Sequence, residues 1–380
     1  MIRARWRPFA LTAGACLTLS VALPATAADA HSSTRLAAAT ASRYVQTNLV
    51  SDVPGWAQIT DPNLVNAWGA SYLPGSPASP LWVSSNGKDV STLYAGGVHG
   101  GAQSVLGLVV SIPGGAPTGQ VSNLTADFVV KDAGGASGPA RFLFVGETGH
   151  ITGWNPAVGL TGTQTTSTQA QDAVTHAHAV YKGLAMGMAP NGPRLYAANF
   201  ASGQVEVYRG NWTQLRDPHA FRDASLPKAF APFNVMVAGD RVYVAYAKSS
   251  GGVDEVDGAG LGRVDVFTLQ GKLLQRAHST GVLNAPWGLA IAPAGFGSFA
   301  GDLLVGNFGD GAIDAYDPET GDFEGALTNE DGNPIRIDGL WTLRFGNGVF
   351  GTPRSLVFTA GIADEAHGLL GTIVPAGSGE

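Results

Sequence analysis

Ala285-Pro286-Trp287-Gly288-Leu289-Ala290, followed by Asp302-Leu303-Leu304-Val305-Gly306-Asn307-Phe308-Gly309-Asp310-Gly311 and Ala312-Ile313-Asp314-Ala315-Tyr316, decides the fold. Each piece is short, apolar and bounded by Gly or Asp-Gly, so the three read as consecutive strands. Asp310-Gly311 supplies the positive φ that a tight hairpin needs. The opening strand of this phrase returns at Asn66-Ala67-Trp68-Gly69-Ala70, Tyr181-Lys182-Gly183-Leu184-Ala185, Phe233-Asn234-Val235-Met236 and Gly339-Leu340-Trp341-Thr342. From Gly183 to Asn234, Gly288 and Gly339 the steps are 51, 54 and 51 residues. The step from Asn66 to Gly183 is 117, about twice the period, and predicts a further opening strand at Leu124 to Val130.

A hairpin follows each opening strand. Second strands read at Leu81-Trp82-Val83, Phe142 to Val145, Leu195 to Ala198, Val242 to Ala245, Leu303 to Val305 and Leu356 to Thr359. Third strands such as Val205-Glu206-Val207-Tyr208 and Val264-Asp265-Val266-Phe267 alternate with period two, the mark of a half-buried strand. Such a period fixes the architecture before any single residue does. Six units of about 56 residues fit between Tyr44 and Glu380, which predicts an all-β, six-bladed β-propeller. The lone strand Tyr44 to Val50 is expected to pair into the last blade beside Leu370 to Val374 and close the ring.

The first residues lie outside the repeats. Arg3, Arg5 and Arg7 precede an apolar stretch from Phe9 to Leu23, and Ala25-Thr26-Ala27 is a small-x-small site. Residues 1–28 therefore read as a secretory signal peptide cleaved near Ala27, residues 29–43 as a flexible Ala/Ser/Thr-rich lead, and residues 44–380 as one propeller domain. The expected location is secreted, extracellular or in the cell envelope. Cys16 is the only cysteine and lies in the signal, so the domain has no disulfide to hold it. Charged residues are 13% of the chain, about half the usual share. The net charge of −7 and scattered basic residues exclude a phosphate-binding stripe, and with it nucleic acid. No later apolar run is long enough for a membrane span. A monomer with an unknown small-molecule, glycan or protein ligand is expected.

The Pro-x-Gly-Leu-Ala opening, the Leu195-Tyr196-Ala197-Ala198-Asn199 strand and the Val-x-Val-Tyr exit resemble NHL-type propeller repeats. The phrases around Lys182, Ala231-Pro232-Phe233-Asn234, Asn284 to Gly288, Leu304 to Gly311 and Ile337 to Trp341 resemble an uncharacterised family of secreted bacterial propellers. That resemblance covers nearly all the chain after Tyr44. It implies the fold and transfers no reaction.

In a propeller the opening strands line the channel. Aligned on the glycine, the preceding residues are Trp68, Lys182, Phe233, Trp287 and Asp338, with Asn234 in the glycine place. The aromatics, with Trp341, suit packing between blades. Lys182, Asn234 and Asp338, together with Asn66 and the same Trp68, Trp287 and Trp341, suit a ligand site at one channel mouth, because a charge near the axis must be paired, solvated or used. His176 and His178 are two residues apart and would face one side of an extended segment, but two zinc ligands are too few. Asp254, Glu255 and Asp257 in the long hairpin from Ser249 to Gly262 are oxygen donors that suit calcium, or a solvated acidic loop. Asp364, Glu365 and His367 in the last hairpin could shuttle a proton or cap a turn.

Three functions fit these features. The first is a binding scaffold using the channel mouth and top loops, since no catalytic motif is present. The second is a metal-dependent hydrolase or lyase holding calcium or zinc, since lactonases and NHL-type lyases look similar in architecture. Asn66, Asn234 and Asp338 would then supply oxygens, although the early Glu of the lactonase pattern is missing. The third is a structural surface protein.

Overall fold

The computed structural model describes residues 43–98, 101–277 and 281–378. The expected signal peptide and nearly all of the expected lead lie outside the described residues. Six small sheets, antiparallel except for one short parallel pair in the last, form the blades of a β-propeller. Their innermost strands are Ala67–Ser71, Pro117–Ser122, Tyr181–Ala189, Phe230–Ala238, Pro286–Ile291 and Leu340–Phe345, in blades 1 to 6. Each packs beside the next, and the sixth packs beside the first, so the ring is closed.

Closure uses the strand nearest the N-terminus. Tyr44–Ser51 pairs antiparallel with Leu369–Pro375, with Tyr44 opposite Pro375 and Ser51 opposite Leu369. Blade 6 is thus built from both ends of the domain, as expected. Tyr44 is fully buried and its hydroxyl donates to the Phe296 carbonyl at 3.1 Å, tying the clasp to blade 5.

The innermost strand of blade 2 corrects the expectation. It is Pro117–Ser122, not Leu124 to Val130. Phe128 has a φ of 58°, which a strand cannot accommodate, and Leu124 is exposed. Val129–Lys131 instead pairs with Ser137–Pro139 in a separate two-stranded sheet.

Apolar packing runs between neighbouring blades. Leu143 and Ile151 of blade 2 meet Tyr181, Leu195 and Tyr208 of blade 3. Tyr243 and Val264 of blade 4 meet Leu289, Leu303 and Tyr316 of blade 5. Crowding at the axis explains the repeated glycine. A Cβ on Gly69 would lie 2.5 Å from the Thr118 carbonyl, and one on Gly183 2.2 Å from Asn234 Oδ1. Among the described residues no helix is long and apolar enough to cross a membrane.

Candidate functional site

Every innermost strand carries a register shift at the same place. The extra residues include Trp68, Thr118, Lys182, Phe233, Trp287 and Trp341, each just before the glycine or its equivalent. A bulge leaves its extra residue unpaired and re-aims the side chain. Here the bulges gather a fully buried aromatic cluster. Trp68 stacks on Trp341 at 3.5 Å between ring centroids, and Trp287 meets both edge-on.

Lys182 is the one charged member of that set, and it is 2% exposed. Its Nζ lies over the rings of Trp68, Phe200 and Phe233, at 5.1, 5.9 and 5.9 Å. A buried ammonium must find anions. Nζ donates to Glu147 Oε1 at 2.6 Å and lies 3.7 Å from Glu255 Oε2. Burial alone would lower its pKa, but Glu147 and Glu255 outweigh burial and hold it above the usual lysine value. Lys182 is therefore an ammonium at neutral pH and not a free amine nucleophile.

The carboxylates come from hairpins at the same end of the ring. Glu147 follows the second strand of blade 2 directly, as Asn86, Phe200 and Phe308 do in blades 1, 3 and 5. Glu255 and Glu365 arrive on the longer hairpins of blades 4 and 6. Asn86 Nδ2 donates to Glu147 Oε2 at 3.1 Å, and Asn66 Nδ2 donates to Glu365 Oε2 at 2.5 Å. Trp341 Nε1 donates to Asn66 Oδ1 at 3.1 Å and so orients that amide. Burial raises the pKa of Glu255 against the opposing pull of Lys182. Burial also raises Glu365, against Asn66 and Lys182.

Glu365 is held by unusual backbone. Ala363, Asp364 and Glu365 have φ of 56°, 53° and 63°, three successive left-handed residues without a glycine. Such residues cost about 1–2 kcal/mol each. The turn is tied down by Asp338 Oδ2, which accepts from the Ala363 N–H at 2.7 Å.

The remaining residues singled out in the sequence fall in several places. Asn66, Trp68, Lys182, Trp287 and Trp341 converge at or just beneath the mouth. Asn234 sits deeper, its Nδ2 donating to the Trp287 carbonyl at 2.7 Å. Asp338 is exposed, and Trp341 holds the bulge position that the alignment on Gly339 gave to Asp338. Asn66, Asn234 and Asp338 are thus not gathered into one ligand set. Asp254, Asp257 and Asp364 are exposed, and only Glu255 of the acidic loop reaches Lys182. His367 Nδ1 lies 2.8 Å from Asp52 Oδ2, so it faces the closing strand's loop. His176 meets Tyr181 and Glu206 instead. Among the described residues no group of three or more His, Cys, Asp or Glu side chains is arranged to hold a metal ion. Glu147 and Asn86 were missed in the sequence. Aligning the hairpins, rather than the opening strands, would have found them.

No family model matches the chain. It is similar to two uncharacterised proteins of Acanthamoeba polyphaga mimivirus. R648 is 32% identical over 332 residues, 86% of this chain and 78% of that protein. L690 is 31% identical over 336 residues, 86% of this chain and 84% of that one. Among solved structures, a gluconolactonase from Xanthomonas campestris is similar with a TM-score of 0.38 and 16% identity, over 65% of this chain and 87% of that one. The two sequence relatives are viral, not bacterial. The chain belongs to the family of the mimivirus proteins R648 and L690.

Proposed function

We propose that this propeller is a binding protein whose hairpin-side channel mouth takes a small ligand bearing a protonated amine, such as an amino sugar. One observation carries the reading: Glu147, Glu255 and Glu365, from blades 2, 4 and 6, face a single buried ammonium, Lys182. Three carboxylates against one cation leave the mouth short of positive charge. Burial has already raised Glu255 and Glu365, so a second cation would relieve a standing electrostatic cost. Asn66 and Asn86 add amide groups for a hydroxylated body. The buried aromatic cluster lies directly beneath these groups and holds Lys182 in place. Lys182 argues against the metal-dependent hydrolase or lyase reading, because its ammonium already faces two of the carboxylates a metal would use.

Calorimetry with glucosamine and N-acetylglucosamine on the mature protein tests this. Saturable binding of the amine, absent for the neutral acetamide and weakened about tenfold by Glu365→Gln, is expected. Equal binding of both sugars, or of neither, would sink the proposal.

A further inference from the structure

Blade 3 meets blade 2 through a polar cluster that lies away from the channel. Along the third strand of blade 3, Gln204–Arg209, Val205 and Val207 pack toward blade 4, so the alternating Glu206 and Tyr208 face blade 2. Tyr181 opens the innermost strand of the same blade, and His176 sits in the turn that arrives from blade 2. The backbone N–H of His176 donates to the Gly149 carbonyl at 2.9 Å, which fixes that turn on the blade 2 hairpin.

Four polar atoms converge there. The Tyr181 and Tyr208 hydroxyls donate to Glu206 Oε2 at 2.7 and 2.6 Å. The two hydroxyl oxygens are 3.1 Å apart, and His176 Nδ1 lies 3.1 Å from the Tyr181 oxygen and 3.3 Å from Glu206 Oε2. These are five contacts among four atoms, yet two phenols and one imidazole nitrogen offer at most three protons. At least two contacts therefore set lone pair against lone pair, which a shared cation relieves and hydrogen bonds alone do not. Four donors held about 2.0 Å from one metal ion stand about 3.3 Å apart, so the cluster needs only a slight expansion to enclose one. Asn199 Nδ2 donates to Glu206 Oε1 at 2.8 Å and leaves Oε2 to the cluster. Such an outer contact orients a metal-binding carboxylate. The His176 side chain keeps 33% of its surface in solvent, so an ion can enter from the imidazole side.

We propose that Tyr181, Tyr208, Glu206 and His176 hold a ferric ion between blades 2 and 3. Two phenolates and a carboxylate carry three negative charges, which a trivalent ion cancels. A divalent ion would leave net charge in a largely buried place. Iron accepts imidazole nitrogen, and phenolate oxygen is among its protein ligands. Burial raises the pKa of both phenols, so each gives its proton to solvent as its oxygen binds the ion. Only His176 and Glu206 are of the residue types most common in metal sites, and the phenols complete the set. This site is independent of the acidic mouth.

Ferric nitrilotriacetate is the probe, with zinc chloride as the divalent counterpart. The protein should take up one iron per chain and gain a visible phenolate-to-iron charge-transfer band. Tyr181→Phe and Tyr208→Phe keep the rings, and each should weaken iron binding by at least about tenfold and diminish the band. His176→Ala should weaken uptake while a phenolate band persists. Replacing His219, an exposed imidazole outside the cluster, by Ala should change neither uptake nor band. A thermal melt of each variant establishes that it is folded. No saturable iron uptake, uptake without the visible band, or a band unaltered in folded Tyr181→Phe and Tyr208→Phe would overturn the proposal, as would displacement of the iron by zinc.

Discussion

Replacing Lys182 by Met removes an ammonium that is 2% exposed and faces three carboxylates. Met keeps the unbranched apolar stem over Trp68 and Phe233, so the change isolates the charge. Removing one partner of a buried pair typically costs about 3–5 kcal/mol. The Glu147 side chain keeps 25% of its surface in solvent, which places the expected loss near 3 kcal/mol, the low end of that range. The pH dependence identifies the cause. Lys182 is raised, so its contribution is full below the ordinary lysine value and is lost only as pH climbs above it. Across the acid and neutral range Lys182 itself stays protonated, and only the carboxylates facing it titrate. Glu255 and Glu365 are also raised, so they favour folding below the ordinary carboxylate range and oppose it as pH rises through their folded values. Without the ammonium both move further up. The deficit of Lys182→Met should therefore be small near about pH 5 and largest near about pH 8. Urea unfolding at the two pH values measures it, and adding Glu147→Gln to the Lys182→Met variant should recover part of the loss. A deficit that is the same at both pH values would refute the electrostatic account and leave only packing.

Three further outcomes follow from the same structure. Asp265 is 2% exposed with an unpartnered Oδ2, and burial, with Asp223, pushes its pKa up to about 7. Its contribution is full below the ordinary aspartate value and is lost as pH rises through about 7, so Asp265→Asn should flatten a decline of at most about 4 kcal/mol between those limits. Denaturation across pH checks it. Gly183→Ala would set a Cβ 2.2 Å from Asn234 Oδ1 and 2.6 Å from its Cα, so backbone must shift and the protein should lose about 1–3 kcal/mol in chemical denaturation. Tyr44→Ala empties a fully buried site in the closing strand and should cost about 3–5 kcal/mol, with hydrogen exchange rising first in Tyr44–Ser51 and Leu369–Pro375.

The ring was legible in the sequence because the strands repeat under a physical constraint. Each innermost strand must carry a small residue where the blades crowd, and an apolar run must follow to pack on the next blade. Gly183, Asn234 and Gly288 show that constraint at almost even spacing. The lone strand Tyr44 to Val50, which precedes the first repeat, was readable for a similar reason, since a repeat one strand short must borrow one. Blade 2 escaped because Thr118 replaces the aromatic at the bulge. The apolar residues Leu124 to Val130 then mimicked a strand, although Phe128 turns there with positive φ.

The mouth was legible only in part, and the reason lies in where its chemistry is carried. Lys182, Trp68 and Trp287 sit on strands, and the repeat pointed at them. The carboxylates sit on hairpin tips, where no register binds one blade to the next. Glu147 needs no insertion at all, and Glu255 needs the extra strand Glu255–Val256. Glu365 depends on three left-handed residues that no propensity would suggest. Asp338 illustrates the converse. It precedes a glycine and so resembles a bulge residue, but Gly339 has φ of 59° and belongs to the turn, while Thr342 fills the axial glycine place. The strands therefore supply a common cage, and the hairpins decide what it holds. Relatives that keep the strand phrases but change the residues at 147, 255 and 365 should keep this fold and lose the charge pattern of the mouth.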